Sequence, residues 1–321
     1  MQNSIEISKM DYISNLFVGL CYATIRKMIG RENFCRKKYN GTPILKYSEG
    51  NDFIKNAIEK GEPFAVARFG DTELRNVLYY LDRRIRKKNP YPEYARNAIK
   101  NCSGFFPNTD ENIDKFSEVL LDNLKEIDVL AVWFNLMEDY IYRKFGPKEQ
   151  VCVYLDTLSP FWSELPWTSA LKDKKVLVIH PFTETIKTQY EKREILFANP
   201  KMLPEFELLT LKAVQTLGGE SDEFETWFDA LDYMYKEAMK LDFDIAIIGC
   251  GAYGLPLTGK IKASGKIAIH TAGVTQMLFG IKGNRWDLKP RFAALYNEHW
   301  VRPSETEKIK TADKVENACY W

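Results

Sequence analysis

Seven short, almost uninterrupted apolar runs punctuate this chain, and they constrain its fold more than any other feature. They are FAVARF (64–69), DVLAVWF (128–134), VCVYL (151–155), KVLVIH (175–180), FELLTL (206–211), FDIAIIG (243–249) and KIAIH (266–270). A strand with one wet face alternates apolar and polar residues, whereas a run apolar at every position is a strand covered on both faces. Between the runs lie segments with helical periodicity, among them ENIDKFSEVLLDNLKEI (111–127) and EFETWFDALDYMYKEAMKL (223–241). Strands alternating with helices specify an α/β fold, a Rossmann-like and mostly parallel sheet with helices on both faces. Ligands of such sheets bind beyond the carboxyl ends of the strands, so the residues after each run carry the functional argument.

A chain of 321 residues with 45% apolar content can bury such a sheet. Lysine and arginine number 45 against 44 for aspartate and glutamate, a balance that argues against bulk nucleic-acid binding. The six cysteines (Cys21, Cys35, Cys102, Cys152, Cys250 and Cys319) form no CxxC pair and no zinc spacing with histidine. They read as reduced, mostly buried thiols of a cytoplasmic protein. No secretory signal with a cleavage site is evident.

Residues 1–50 read as an N-terminal helical extension and 51–321 as a single Rossmann-like domain. Within the extension, YISNLFVGLCYATI (12–25) carries no charge and is followed by Arg26, Lys27 and Arg31. It is too short and too polar for a spanning helix. An ordinary helix packed on the domain accounts for it, and a helix lying at the inner face of a membrane is the alternative.

After the first run comes Arg68-Phe69-Gly70-Asp71-Thr72-Glu73, and then Leu74, Val77, Leu78 and Leu81 at the spacing of one helix face. Asp71 as an N-cap and Glu73 in the first turn would explain the two acids by helix initiation alone. Arg68 adds a cation at the end of an apolar strand, and Gly70 allows a ligand to approach closely. One cation and two hard oxygen ligands suit a diphosphate with magnesium or manganese, held by Asp71 and Glu73.

DIAIIGCGAYGLPLTGKIKASGKIAIH (244–270) reads as strand, glycine-rich turn, helix, strand, with Gly249, Gly251 and Gly254 in GxGxxG spacing and Tyr253 between them. Pro256 suits the first turn of the helix. Such a turn cradles phosphate. A dinucleotide site would place an acid near the end of the next strand, where this chain has His270 and Thr271. A phosphate or nucleotide loop therefore fits better than an NAD site, and a turn glycine-rich only for packing remains open beside it.

Other strand ends supply further candidates. His180 ends a strand, Thr183 can cap the helix that follows, and Lys187 or Arg193 on that helix could reach phosphate, whereas Lys192 reads as a solvated charge. Gln276 lies on a short helix after the last strand, and Arg285-Trp286 either stacks on a base or packs as an ordinary tryptophan with a surface arginine. The aromatic tail, with Trp300, Tyr320 and Trp321, should fold back over the sheet end. That would make Glu298, His299, Arg302 and Glu316 secondary site candidates, with Glu316 and Asp156 the carboxylates considered for a catalytic base.

The stretches ARFGDTE (67–73), GFFP (104–107), VLVIHPFTETIKTQYEKRE (176–194), GCGAYG (249–254), GKIAIHTAGVTQMLFGIKGNRW (265–286) and CYW (319–321) together resemble the GT-D-fold glycosyltransferases, bacterial sugar transferases first catalogued as a domain of unknown function. The resemblance spans about residues 50 to 321. It implies a nucleoside-diphosphate-sugar donor, first among them a UDP-sugar, a Mn2+ or Mg2+ ion, and a DxE element that falls on Asp71-Thr72-Glu73. The family often has glycine between the acids, where this chain has Thr72. A surface glycan or glycosylated protein is the expected acceptor. A nucleotide-dependent oxidoreductase built on GCGAYG and a non-catalytic nucleotide-binding scaffold are the alternatives.

Overall fold

The computed structural model describes residues 7–30, 33–39, 41–87, 90–216, 218–219, 221–308 and 320. The expected sheet is present and larger than the sequence suggested. Its strands are β1 (Lys38–Tyr39), β2 (Thr42–Leu45), β3 (Phe64–Ala67), β4 (Val129–Val132), β5 (Val151–Tyr154), β6 (Lys175–His180), β7 (Glu207–Lys212), β8 (Ile245–Ile248) and β9 (Ile267–His270). They lie in the order β1-β2-β5-β4-β3-β9-β8-β6-β7, and every described pairing is parallel except β1 with β2.

The continuous apolar runs have the anticipated cause. Along β6, Leu177 and Ile179 enter one core while Val176 and Val178 enter the other, and β8 divides Ala246 and Ile248 from Ile245 and Ile247 in the same way. The period of two is present, but both faces are dry.

The helices are α1 (Lys9–Ile29), α2 (Tyr47–Lys60), α3 (Asp71–Arg86), α4 (Glu93–Ser103), α5 (Asp110–Leu124), α6 (Glu138–Phe145), α7 (Thr183–Tyr190), α8 (Arg193–Leu196), α9 (Trp227–Met239), α10 (Gly254–Ala263) and α11 (Val274–Leu278), followed by shorter turns. Side chains of α3, α4, α5, α6, α9 and α10 fill the first core, and those of α2, α7, α8 and α11 fill the second. Caps follow local rules: Thr109 accepts from Asn112 N–H at the start of α5, and Thr226 with Asp229 forms a capping box on α9.

Several expectations change. Lys38–Tyr39 and Thr42–Leu45 form strands and β2 pairs with β5, so the sheet begins before residue 51. Helix α3 is capped by Gly70, with Asp71 its first helical residue rather than its cap. Helix α7 begins at Thr183 with Phe182 at the cap position, and its free N–H groups are met by Glu307, which accepts from Glu184 N at 2.8 Å and Thr185 N at 3.3 Å. Of the five described cysteines only Cys152 and Cys250 are buried, while Cys21, Cys35 and Cys102 are exposed.

Chain direction sets where a ligand can sit. From β3 the chain steps through β4 to β5 on one side of the sheet, while β9 flanks β3 on the other. The carboxyl ends of β3, β9, β8 and β6 are consecutive in space although they are far apart in sequence.

Candidate functional site

Each of those four strand ends contributes to one cleft system. β3 supplies Arg68, Gly70, Asp71 and Glu73, and β9 supplies His270 and Thr271. β8 supplies the turn from Gly249 to Tyr253, and β6 supplies His180. A cleft of about 640 Å³ holds Arg68, Asp71, Glu73, Gly251, Arg285 and Tyr320 among its walls. A tighter cavity of about 100 Å³ adjoins it and shares Arg68, Gly251 and Tyr320.

Arg68 lies just beyond β3, half-buried. Its Nη1 donates to Phe69 O at 3.0 Å, and its guanidinium lies 5.5 Å from the Trp133 ring centroid. Trp133 is fixed in turn, its Nε1 donating to the same carbonyl at 3.1 Å. The arginine is thus held by one backbone contact and one aromatic face, with its charge bordering both cavities.

The two carboxylates differ. Asp71 pairs with Arg75 at 2.9 Å on the exposed side of α3. Glu73 bends back so that its carboxylate covers Gly70, filling the place of a β-carbon. Among the described residues no cluster of three or more His, Cys, Asp or Glu side chains is close enough to hold a metal by itself. Two hard carboxylates without imidazole or thiolate fit magnesium or manganese, which take one or two carboxylates together with substrate phosphate oxygens and water. The donor set is too small and too hard for a structural zinc site.

In the glycine turn the three glycines have three different reasons. Gly251 adopts a φ of +59° with open space around it, so its backbone conformation is what requires glycine. A β-carbon on Gly249 would lie 2.6 Å from His180 Cδ2, and one on Gly254 would overlap the His270 ring. The motif therefore packs a helix closely onto neighbouring strands and leaves Gly251 exposed at the cleft.

Both histidines are neutral. Burial pushes His180 down to about 3, and burial followed by the charge of Arg68 does the same to His270. His180 Nδ1 accepts from Phe182 N–H at 3.1 Å, which leaves Nε2 carrying the proton and able to donate to a ligand. His270 Nδ1 lies 3.2 Å from Ile248 O and must donate to it, which fixes the opposite tautomer.

Other expected residues are placed otherwise. Lys187 points to solvent and pairs with Glu184 at 2.9 Å, and Arg193 pairs with Glu194 and Glu205 at 3.5 Å each beside the Tyr190 ring. Neither borders the cleft, because α7 carries Lys187 and α8 carries Arg193 away from the strand ends. Gln276 borders the small cavity, but its Nε2 donates to Lys282 O at 3.0 Å and Tyr320 O at 3.3 Å, which ties down the tail. Tyr253 shares a 2.8 Å hydrogen bond with the Thr216 hydroxyl and stacks on Trp227 at 4.7 Å, so it anchors the turn.

Arg285 does border the cleft, donating to Tyr320 Oη at 3.0 Å. Its neighbour Trp286 is buried against Phe292, the packing alternative of the two the sequence left open. Tyr320 covers Gly273, so at that position the tail folds back as expected. Glu316 and Trp321 lie outside the described residues. Arg302 pairs with Asp287, and His299 lies 3.5 Å from Glu298, all away from the cleft. Asp156 borders it, paired with Arg291 at 3.1 Å. Trp133 and Lys289 are cleft residues that sequence reading assigned no role, and Tyr320, expected only to fold back with the tail, lines the cleft as well. Trp133 and Lys289 had no motif around them, and only their position after a strand or near Trp286 hinted at them.

The chain is similar to a solved structure described as the highly conserved domain of unknown function 1792, with a distinct glycosyltransferase fold. Identity is 11% over 75% of this chain and 81% of that one, with a TM-score of 0.43. A selenomethionine-substituted structure of the same domain gives 12% identity, the same coverage and a TM-score of 0.42. No family model and no curated protein matches the chain.

Proposed function

We propose that the protein is a metal-dependent glycosyltransferase that moves a sugar from a nucleoside-diphosphate-sugar, a UDP-sugar first among the candidates, to a glycan or glycosylated acceptor. One observation carries the reading: a half-buried arginine, two carboxylates and an open glycine turn, from strands far apart in sequence, meet around one cleft at the strand carboxyl ends. Arg68 and the backbone at Gly251 bind the donor diphosphate, with the neutral His180 donating from Nε2. Arg285 and Lys289 add positive charge to the lining of the same cleft.

Asp71 and Glu73 hold a Mn2+ or Mg2+ ion, which when bound would offset the negative charge gathering on the leaving diphosphate. In the transfer, the bond from the anomeric carbon to the donor phosphate oxygen breaks, and a bond to an acceptor hydroxyl oxygen forms. The acceptor proton passes to a carboxylate or to water. Asp156 is the third carboxylate bordering the cleft and the residue to test for that role.

The oxidoreductase reading loses ground at β9. The strand ends on a buried histidine packed under Gly254, where an NAD site needs an acid for the ribose. Thermal unfolding in the presence of UDP, other nucleoside diphosphates and NAD, with and without manganese, tests the proposal. A nucleoside diphosphate at a hundred times its dissociation constant should stabilise the fold by about 2.7 kcal/mol, with a further gain from manganese. Stabilisation by NAD alone would overturn it.

A further inference from the structure

Helix α1 has two unlike faces. Inward, Tyr12 is buried and donates to Leu78 O at 3.4 Å, Arg26 Nη1 donates to Phe134 O at 2.7 Å, and Gly19 lets the helix pass close to Leu136. Outward, Met10, Phe17 and Met28 are 78%, 69% and 79% exposed, with Ile13, Val18, Leu20 and Ile25 also exposed. No charged residue falls between Asp11 and Arg26. At about 100° per residue these apolar side chains cover an arc of roughly 160°, somewhat under half the circumference of a helix about 31 Å long. An apolar surface this continuous on the outside of a chain marks a contact with something else.

Charge decides between occupants. Residues 1–40 contain seven Lys or Arg and three Asp or Glu, in a chain whose totals are 45 and 44. Of the described basic residues at or beyond the carboxyl-terminal end of α1, Lys27, Lys37 and Lys38 are exposed, whereas Arg26 is taken up by Phe134 O and Arg36 pairs with Asp139 at 2.9 Å. A second copy docked on this face would offer the basic end no excess of opposite charge, since its own first forty residues carry the same surplus. An anionic lipid surface supplies apolar depth for the outer arc and negative headgroups for the basic end. No described helix is long and apolar enough to cross a membrane, and α1 is pinned along the protein, so it lies along the lipid surface.

We infer that α1 docks this protein on the surface of an anionic lipid bilayer, with Met10, Phe17 and Met28 inserted below the headgroups. The docking bears on the cleft. A groove of about 780 Å³ runs beneath α1, between Leu16 and Ala23 on one side and Leu74 and Leu78 on the other, and reaches Asp71, which also borders the proposed donor cleft. A docked α1 brings that groove beside the headgroup layer. The inference stands apart from sugar transfer, since lipid binding is read with no donor present.

Co-sedimentation of the full chain with vesicles tests it, using phosphatidylcholine alone and an equal mixture of phosphatidylcholine and phosphatidylglycerol. Wild type should bind the mixed vesicles at least about tenfold more tightly than the neutral ones and release as salt rises. Phe17→Glu and Met28→Glu, both at exposed positions, should each weaken binding about tenfold with an unchanged melting temperature. The lipid-composition comparison needs only wild type, so it decides even if a variant folds poorly. Wild type that ignores the mixed vesicles, or binds both kinds equally, would overturn the inference. So would folded variants that bind as wild type does, or a lipid-free dimer that Phe17→Glu dissociates.

Discussion

The Glu73 carboxylate rests on Gly70, in the volume that a β-carbon on that glycine would need. Gly70 has φ −77° and ψ 146°, a conformation open to any residue, so the backbone does not demand glycine there. The carboxylate does. Gly70→Ala should therefore fold, since the obstructing atoms end a flexible side chain, with a stability change within about 1 kcal/mol. Its manganese-dependent transfer should fall by at least about tenfold, because Glu73 is displaced from the cleft. Transfer rate against manganese concentration, measured beside a denaturation curve, checks both halves.

Removing the charges themselves should have a larger effect. The Asp71–Arg75 pair is exposed, so Asp71→Asn should change stability by no more than about 1 kcal/mol. Glu73→Gln should cost a similar amount through the helix dipole. If Asp71 and Glu73 hold the ion, each variant stays folded, and Glu73→Gln loses about a hundredfold in transfer, roughly 3 kcal/mol of barrier. Wild-type manganese curves for both variants would reduce the acids to a helix start.

Gly254→Ala should behave in the opposite way to Gly70→Ala. Its β-carbon would run into the His270 ring, which is buried and held by Ile248 O at 3.2 Å, so nothing nearby gives way cheaply. Overpacking of this kind costs typically about 1–3 kcal/mol. Urea denaturation should show the loss, and melting equal to wild type would mean that the turn is looser than the packing indicates.

Glu138 provides a pH test. It is fully buried, and its Oε2 accepts from Tyr39 Oη at 2.8 Å and from the Phe134 N–H at 3.1 Å, while Oε1 has no partner among the described residues. Burial pushes its pKa from 4.5 up to about 7, against the opposing pull of Tyr39 and the backbone donors. The folded protein therefore holds a proton that the unfolded chain releases. Its contribution to stability is fully present below about 4.5 and is lost as pH rises through about 7. Between these limits, wild type should lose stability relative to Glu138→Gln, by up to a few kcal/mol. Parallel urea midpoints from acid to neutral pH measure the difference, and parallel curves would place the carboxyl in its ordinary range.

Fold class was legible in the sequence because burial on both faces writes itself as consecutive apolar residues. KVLVIH gave β6 to the residue, and Leu74, Val77, Leu78 and Leu81 gave the buried face of α3. The glycine turn after β8 and the cation at the end of β3 were legible for the same reason: each sits where a strand stops, and strand ends are local events. β1 and β2 were missed because short edge strands carry little pattern, and β2 is defined by its pairing with β5, more than a hundred residues later.

Helix rotation and long-range contact were not legible. Lys187 and Arg193 follow a promising strand, yet α7 and α8 turn them outward, and a charged side chain looks the same in sequence on either face. Gln276 and Tyr253, expected from the sequence as ligands, border the small cavity and also hold Tyr320 and the turn, contacts the sequence could not show because their partners, Tyr320 and Thr216, come from distant segments. By itself the sequence determined which residues stand at strand ends, through hydrophobic period and turn chemistry that act over a few residues. Only the tertiary structure decided which ends become neighbours, and therefore that Arg68, Glu73 and Gly251 face one cleft, because strand order is fixed by packing across the whole sheet.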